Sequence, residues 1–301
     1  MIRILLTGSN GQLGQLICKF QPTSIGSESV DFIAVNRKDA DFSQADNCSN
    51  LIYRYKPDLL INAAAFTSVD LAEREPKLAY SINAIAPKKL AQSLLQEGGK
   101  MIHFSTDYVF NGLSNIPYTP LHSSDPINVY GSSKLAGENY VTNILGPSGR
   151  INIIRSSWLM GPTGDNFALK ILDLHLKGKS FEVVTDQLGS PTSSIALSQL
   201  CWELINKDCS AHVLPGLMHW CDGGTASWYD IAVAIGDIAK DLGILKKPAK
   251  VIPINSSAYH ALAKRPRFSV LDCEETISKL GIPQKHWYTN LSEAIRFKFN
   301  K

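Results

Sequence analysis

What this 301-residue sequence lacks narrows it before any motif is read. Its six cysteines, at 18, 48, 201, 209, 221 and 273, form no Cys-x-x-Cys pair and show no zinc-type spacing. A disulfide framework and a structural zinc module are therefore not indicated, and free thiols of a reducing cytoplasm are expected. His219 and Cys221 stand two apart on an extended stretch, where they read as same-face neighbours and not as metal ligands. No apolar run approaches the ~20 residues of a membrane helix, so no membrane partner is expected. Lys and Arg never gather into a block and the formal charge is only +3, which disfavours nucleic acid as a partner. Repeats and low-complexity linkers are absent. With 44% hydrophobic and 19% charged residues, the chain has the composition of an ordinary folded protein. It enters an apolar strand directly after Met1, so no signal peptide and a cytoplasmic location are expected.

What is present is an alternation. Short apolar runs at Ile2 to Leu6, Val30 to Val35, Asp58 to Ala64, Lys100 to Ser105 and Ile151 to Arg155 predict strands. Between them, Gln12 to Phe20, Leu51 to Tyr55, Glu75 to Glu97 and Ser132 to Leu145 have helical spacing. Nearly continuous apolar strands between amphipathic helices predict an α/β fold, a Rossmann-type doubly wound parallel sheet with both faces covered. At roughly 100–200 residues per domain, the length suggests a main domain with a smaller one attached. After Arg155 the rhythm loosens. We expect a dinucleotide-binding domain over 1–154, with strands returning to its sheet near 181–185 and 217–221. Residues 155–301 then form mainly an interleaved substrate lobe. Ser227 is a plausible N-cap for a helix from Trp228 to Leu242.

Gly8-Ser9-Asn10-Gly11-Gln12-Leu13-Gly14 follows the first strand and opens the first helix. A tight turn beside a pyrophosphate needs positions without Cβ, and a helix N-terminus offers free N–H groups. The spacing is one residue longer between the first two glycines than the usual dinucleotide fingerprint, and its place after the first strand strengthens it. The second strand ends in Asn36-Arg37-Lys38 without the acidic residue that holds ribose hydroxyls. An Arg there pairs with a 2′-phosphate, so NADP(H) is preferred and NAD(H) stays open. Asp41 and Phe42 are candidates to flank the adenine. Ala63, Ala64 and Ala65, at the third strand's end, leave room for a cofactor backbone, although close helix packing explains them nearly as well.

Tyr130 and Lys134 lie four apart, on one face of a predicted helix. A cation near a phenol lowers its pKa from about 10, and such a Tyr gives a proton to a carbonyl oxygen as hydride arrives at carbon. Several segments occur with this pair in order: Asn62 to Thr67, Ser105-Thr106-Asp107-Tyr108-Val109-Phe110, Arg155-Ser156-Ser157-Trp158, Asp186-Gln187-Leu188-Gly189-Ser190-Pro191-Thr192 and Arg265-Pro266. The combination resembles the extended short-chain dehydrogenase/reductase family, and within it the reductases of dTDP-linked 4-keto sugars, over nearly the whole chain.

The resemblance implies that Tyr130 is the proton donor and that Lys134 binds the nicotinamide ribose and tunes Tyr130. Thr106 would polarise the keto oxygen, and Asn83 would support the Lys and a water chain. Thr67 joins the cofactor contacts. Asp107, Tyr108 and Trp158 would line the sugar pocket, with Asn166, Gln187 and Arg265 toward the diphosphate. Reductases of this kind supply a nucleotide sugar to cell-surface polysaccharide, and they often dimerise, which leaves a homodimer open. Some relatives hold a metal on acidic residues at a dimer contact. The first helix here carries Gln12, Gln15 and Lys19 instead, so no metal is expected. Two other readings stay open. One is an epimerase or dehydratase of the same fold, although Asp107-Tyr108 after Thr106 lacks the dehydratase's second acidic residue. The other is a non-catalytic NADP-binding regulatory subunit.

Overall fold

Ile4, Leu5 and Leu6 of the first strand, β1 (Ile2–Thr7), are all fully buried, yet they face two different cores. Ile4 and Leu6 meet the helices Gln12–Lys19 and Ser194–Cys209 on one face of the sheet, whereas Leu5 meets Ala45–Tyr55 and Ala86–Glu97 on the other. The computed structural model, which describes residues 1–209 and 214–299, repeats this alternation across the sheet. In Leu59 to Ile61 the outer two residues face the first core and Leu60 the second. Strand side chains alternate with period two, so a continuous apolar run is stable only where both faces are covered. Each such Leu or Ile contributes about 1.5–3 kcal/mol on burial.

The sheet contains β2 (Ser24–Ile25), β3 (Glu28–Val35), β4 (Leu59–Asn62), β5 (Lys100–Thr106) and β6 (Ile151–Ser156) besides β1. Its order is Leu217–His219, β6, β5, β4, β1, β3, β2, and all neighbours are parallel except β2 and β3. The chain passes from β1 outward to β3 and returns on the other side at β4. The strand order therefore reverses between β1 and β4, and a crevice opens outside their carboxyl ends.

Leu217–His219 returns to the sheet as expected, but Phe181–Val184 does not. It pairs with Val251–Ile254 in a separate two-stranded parallel sheet. There Val183 packs into a third core with Ile171, Leu172, Ile231, Ile235 and Leu291, so its apolar face is buried within the C-terminal lobe. The long helix expected from Glu75 to Glu97 is also interrupted. A π-helical turn, Ser81–Ile85, separates Pro76–Tyr80 from Ala86–Glu97. Pro87 has no N–H to return to the Asn83 carbonyl four residues earlier, and the wider turn accommodates that loss. Ser227 does cap the helix Trp228–Asp241, in a reciprocal capping box with Asp230. No helix among the described residues is long and apolar enough to cross a membrane.

Candidate active site

The glycine turn sits at the strand-order reversal. Gly8 has φ +75°, and a Cβ there would lie 2.7 Å from the Ala63 carbonyl carbon, so the ends of β1 and β4 touch only because the residue is glycine. A Cβ on Gly14 would stand 2.2 Å from the Gly8 oxygen, which is how the turn closes against the first helix. That helix starts at Gly11 with no side-chain cap, leaving its first amides aimed at the crevice. Ser9 and Leu13 are buried beneath the turn.

A cavity of about 270 Å³ opens beside it, lined by Gly8, Asn10, Gly11, Asn36, Arg37, Asp41, Phe42 and Ala63 to Ala65, all expected, together with Thr7, Val35, Ala40, Phe66 and Ile82. Arg37 is exposed at its rim and only loosely tied to Asp41, at 3.5 Å. Apolar walls, uncapped helix amides and an exposed rim guanidinium fit the adenosine half of a dinucleotide with a 2′-phosphate.

A second cavity of about 530 Å³ shares Asn10, Gly11, Ala63 and Ala65 with the first. Gln12, Leu13, Thr67, Thr106, Asp107, Tyr108, Tyr130, Lys134, Trp158 and Asn166 line it. Gln12 spans the turn and the far wall, donating to the Leu159 carbonyl at 3.1 Å. Tyr130 and Lys134 come from the helix Val129–Leu145, whose N-cap Asn128 accepts from the Gly131 amide. Gly131 and Gly137 let this helix settle against the Tyr108 and Asn83 carbonyls, each 2.1 Å from where a Cβ would stand.

The electrostatics of the pair differ from the sequence expectation. Lys134 donates to the Phe104 carbonyl at 2.6 Å, and burial lowers its pKa to about 8. Burial dominates at Tyr130 and pushes the phenol up to about 12; the Thr106 hydroxyl works against this and the Asp107 charge adds to it. Burial outweighs any lowering by Lys134, whose ammonium donates to the carbonyl of β5. A phenol held neutral suits a proton donor.

Asn83 also lies differently from expectation. Its side chain donates to the Phe66 carbonyl and Ser133 and accepts from the Phe66 amide, so its hydrogen bonds tie the β4 loop to the helix Val129–Leu145 and go to Phe66 and Ser133, not to Lys134. Asn166 caps the helix Phe167–Lys177 and spends its amide on the Gly161 and Thr163 carbonyls. Gln187 and Arg265 line neither cavity. Gln187 accepts from the Trp228 indole at 3.2 Å, and Arg265 pairs with Asp70 at 2.7 Å while backing Tyr108. Each contacts an aromatic ring that lines the larger cavity.

Val69, Phe104, Ser105, Ser156, Ser157, Leu159, Gly164, Asp165, Leu197 and Trp228 complete the lining and were not foreseen as site residues. Trp158 stacks on Trp228 with ring centroids 3.7 Å apart. Trp158 itself has φ +46°, a costly value for a bulky residue, and Gly189 makes room for its ring. An aromatic residue directly after the Ser227 cap was the available signal for Trp228.

A family model described as RmlD substrate binding domain matches residues 2–298. The dTDP-4-dehydrorhamnose reductase of Aggregatibacter actinomycetemcomitans is 34% identical over 288 residues, covering 95% of this chain and 96% of that protein. A crystal structure of a dTDP-4-dehydrorhamnose reductase from Clostridium acetobutylicum superposes with a TM-score of 0.88 at 33% identity, covering 98% of this chain and 99% of the other. The Bacillus anthracis dTDP-4-dehydrorhamnose reductase, solved in complex with NADP, gives 0.86 at 30% identity, with 98% and 99% covered.

Proposed function

Since this chain belongs to the RmlD substrate binding domain family, we propose that it is an NADPH-dependent oxidoreductase acting on dTDP-4-dehydro-L-rhamnose or a close nucleotide-linked 4-keto sugar. The C4 keto group is reduced to give dTDP-L-rhamnose, for cell-surface polysaccharide synthesis. One observation supports this above the others: Thr106, Tyr130 and Lys134 share the wall of a cavity continuous with the glycine-turn groove.

Residues 1–154, with the returning strand, form the cofactor domain, and 155–301 mainly the substrate lobe. The Gln12 and Leu13 amides would meet the pyrophosphate and Arg37 the 2′-phosphate. Asp41 and Phe42 bracket the adenine, and Ala63 to Thr67 border the cofactor's backbone. Lys134 holds the nicotinamide ribose. When bound, NADPH supplies the hydride for the sugar C4. Tyr130, neutral because it is buried, gives its proton to the keto oxygen, and Thr106 orients that oxygen. Asn83 fixes the catalytic helix against the β4 loop. Trp158 offers the deoxysugar an apolar face, and the Trp228 stack holds it in place. The six free cysteines accord with a cytoplasmic enzyme.

The test is NADPH oxidation with freshly generated dTDP-4-dehydro-L-rhamnose. Rapid substrate-dependent loss of NADPH is expected. Tight NADPH binding without oxidation, across a panel of nucleotide-linked 4-keto sugars, would overturn the reading. A higher kcat/KM with NADH would reverse the cofactor preference alone.

A further inference from the structure

Asp107 is a carboxyl buried to 2% exposure at the floor of the larger cavity. Its Oδ1 lies 3.0 Å from the Thr106 hydroxyl, while its Oδ2 makes no hydrogen bond of sound geometry. The Tyr108 amide donates to the same Thr106 oxygen at 3.1 Å. On the other side, Thr106 interacts with the Tyr130 phenol. A threonine hydroxyl carries one proton and two acceptor sites. That count makes the charge on Asp107 decisive. An ionised Asp107 takes the Thr106 proton in a charge-assisted bond, leaving Thr106 nothing to donate toward the reacting oxygen. As a carboxylic acid, Asp107 donates instead. The two acceptor sites of Thr106 are then filled by Tyr108 and Asp107, and its one proton turns outward.

We propose that Asp107 is a positioning residue that works as a neutral acid, donating to Thr106 so that the one Thr106 proton turns toward the reacting oxygen. The proposal rests on the reading of Thr106 and Tyr130 given above and adds a condition to it. Burial raises the Asp107 pKa to about 7, against the opposing pull of the nearby Ser269 and Thr106 hydroxyls and of the Asp107 and Tyr108 amides. The groups facing it are Tyr130 from the catalytic helix, Tyr108 from its own turn and the Ser269 hydroxyl, with Arg265 beyond Tyr108. Arg265 is paired with Asp70 and Lys134 with the Phe104 carbonyl, so neither cation closes on the Asp107 carboxyl.

The experiment compares pH profiles of kcat/KM for the wild type, Asp107→Asn and Asp107→Ala. An asparagine amide donates to Thr106 at every pH. The wild type should lose activity through about pH 7. In Asp107→Asn that limb should move to the next group, Lys134 near 8. Asp107→Ala, with no donor, should lose on the order of 10²-fold in kcat at all pH, the cost of disabling one polarising donor. An unchanged limb in Asp107→Asn would overturn the proposal. A readout independent of turnover is the carboxylic-acid C=O band of Asp107 in infrared difference spectra, identified by its loss in Asp107→Asn. The band should be present at about pH 6 and fade through about 7. Its absence at the lower pH overturns the proposal even if the variants fold poorly. If the band behaves as expected but no sugar is reduced, the functional reading fails and the protonation of Asp107 stands.

Discussion

The two walls of the larger cavity are built in opposite ways. The wall carrying the glycine turn, Thr106, Tyr130 and Lys134 comes from strand ends and one helix face, and its contacts are close in sequence or imposed by the sheet. The wall facing it depends on pairs that meet only in the folded chain: Trp158 on Trp228, Gln187 on Trp228, and Arg265 on Asp70. The first wall is rigid because a central parallel sheet is rigid. The second holds a strained Trp158 backbone by stacking and a few polar ties. Chemistry and cofactor binding should accordingly fail with changes to the first wall, and sugar recognition with changes to the second.

The largest effect expected from the first wall is that of Tyr130→Phe. Removing the phenol should lower kcat by about 10²–10⁴-fold, the usual worth of a positioned acid, while the NADPH Kd stays within a few-fold. Single-turnover kinetics with fluorescence titration of NADPH separates the two. A normal kcat would take Tyr130 out of the mechanism. Next is Gly14→Ala. Its Cβ would collide with the Gly8 oxygen at 2.2 Å, and overpacking of this kind costs about 1–3 kcal/mol. Denaturant unfolding should show the loss, with weaker NADPH binding beside it. Unchanged cofactor affinity would mean that the turn does not set the pyrophosphate site.

On the second wall, Trp228→Ala removes the ring under Trp158 and the donor to Gln187. Stacked pairs are worth about 0.5–1.5 kcal/mol beyond their buried area, so the sugar KM should rise by roughly tenfold at constant NADPH Kd. A parallel rise in both constants would erase the distinction between the walls.

The same division explains what could be read without coordinates. Strands with both faces apolar, the Gly8 to Gly14 turn and the Tyr130/Lys134 spacing are local patterns, and each has its physical reason within a few residues. The partner of Phe181–Val184 lies about seventy residues on, and its period is equally compatible with the main sheet and with a private one. Arg265 has the chemistry to meet a diphosphate, but Asp70, 195 residues earlier, claims it. Asn166 was legible as an N-cap from the helix after it. Even the Tyr–Lys pair shows the limit: spacing places both on one face, but only the fold reveals that the ammonium donates to the Phe104 carbonyl.

The smallest effect, and the finest test of the distant-pair wall, is that of Asp70→Asn. Burial alone would raise the Asp70 pKa, but the Ala263 amide, Arg265 and the Leu262 amide together hold it below its ordinary 3.8. A folded pKa below the unfolded one means that the interaction stabilises the protein fully above about pH 4 and is lost as pH falls through the folded value. Asp70 is 40% exposed, and solvent screening limits the pair to ~1 kcal/mol at most. Asp70→Asn should therefore unfold at lower denaturant than the wild type at about pH 7, and the gap should narrow toward about pH 3, where the wild-type carboxyl also begins to take up its proton. Freed from Asp70, Arg265 should loosen its support of Tyr108 and raise the sugar KM by a few-fold. An equal stability gap at both pH values would assign the loss to the hydrogen bonds of the 262–263 amides, and the charge on Arg265 would then have no part in holding that wall.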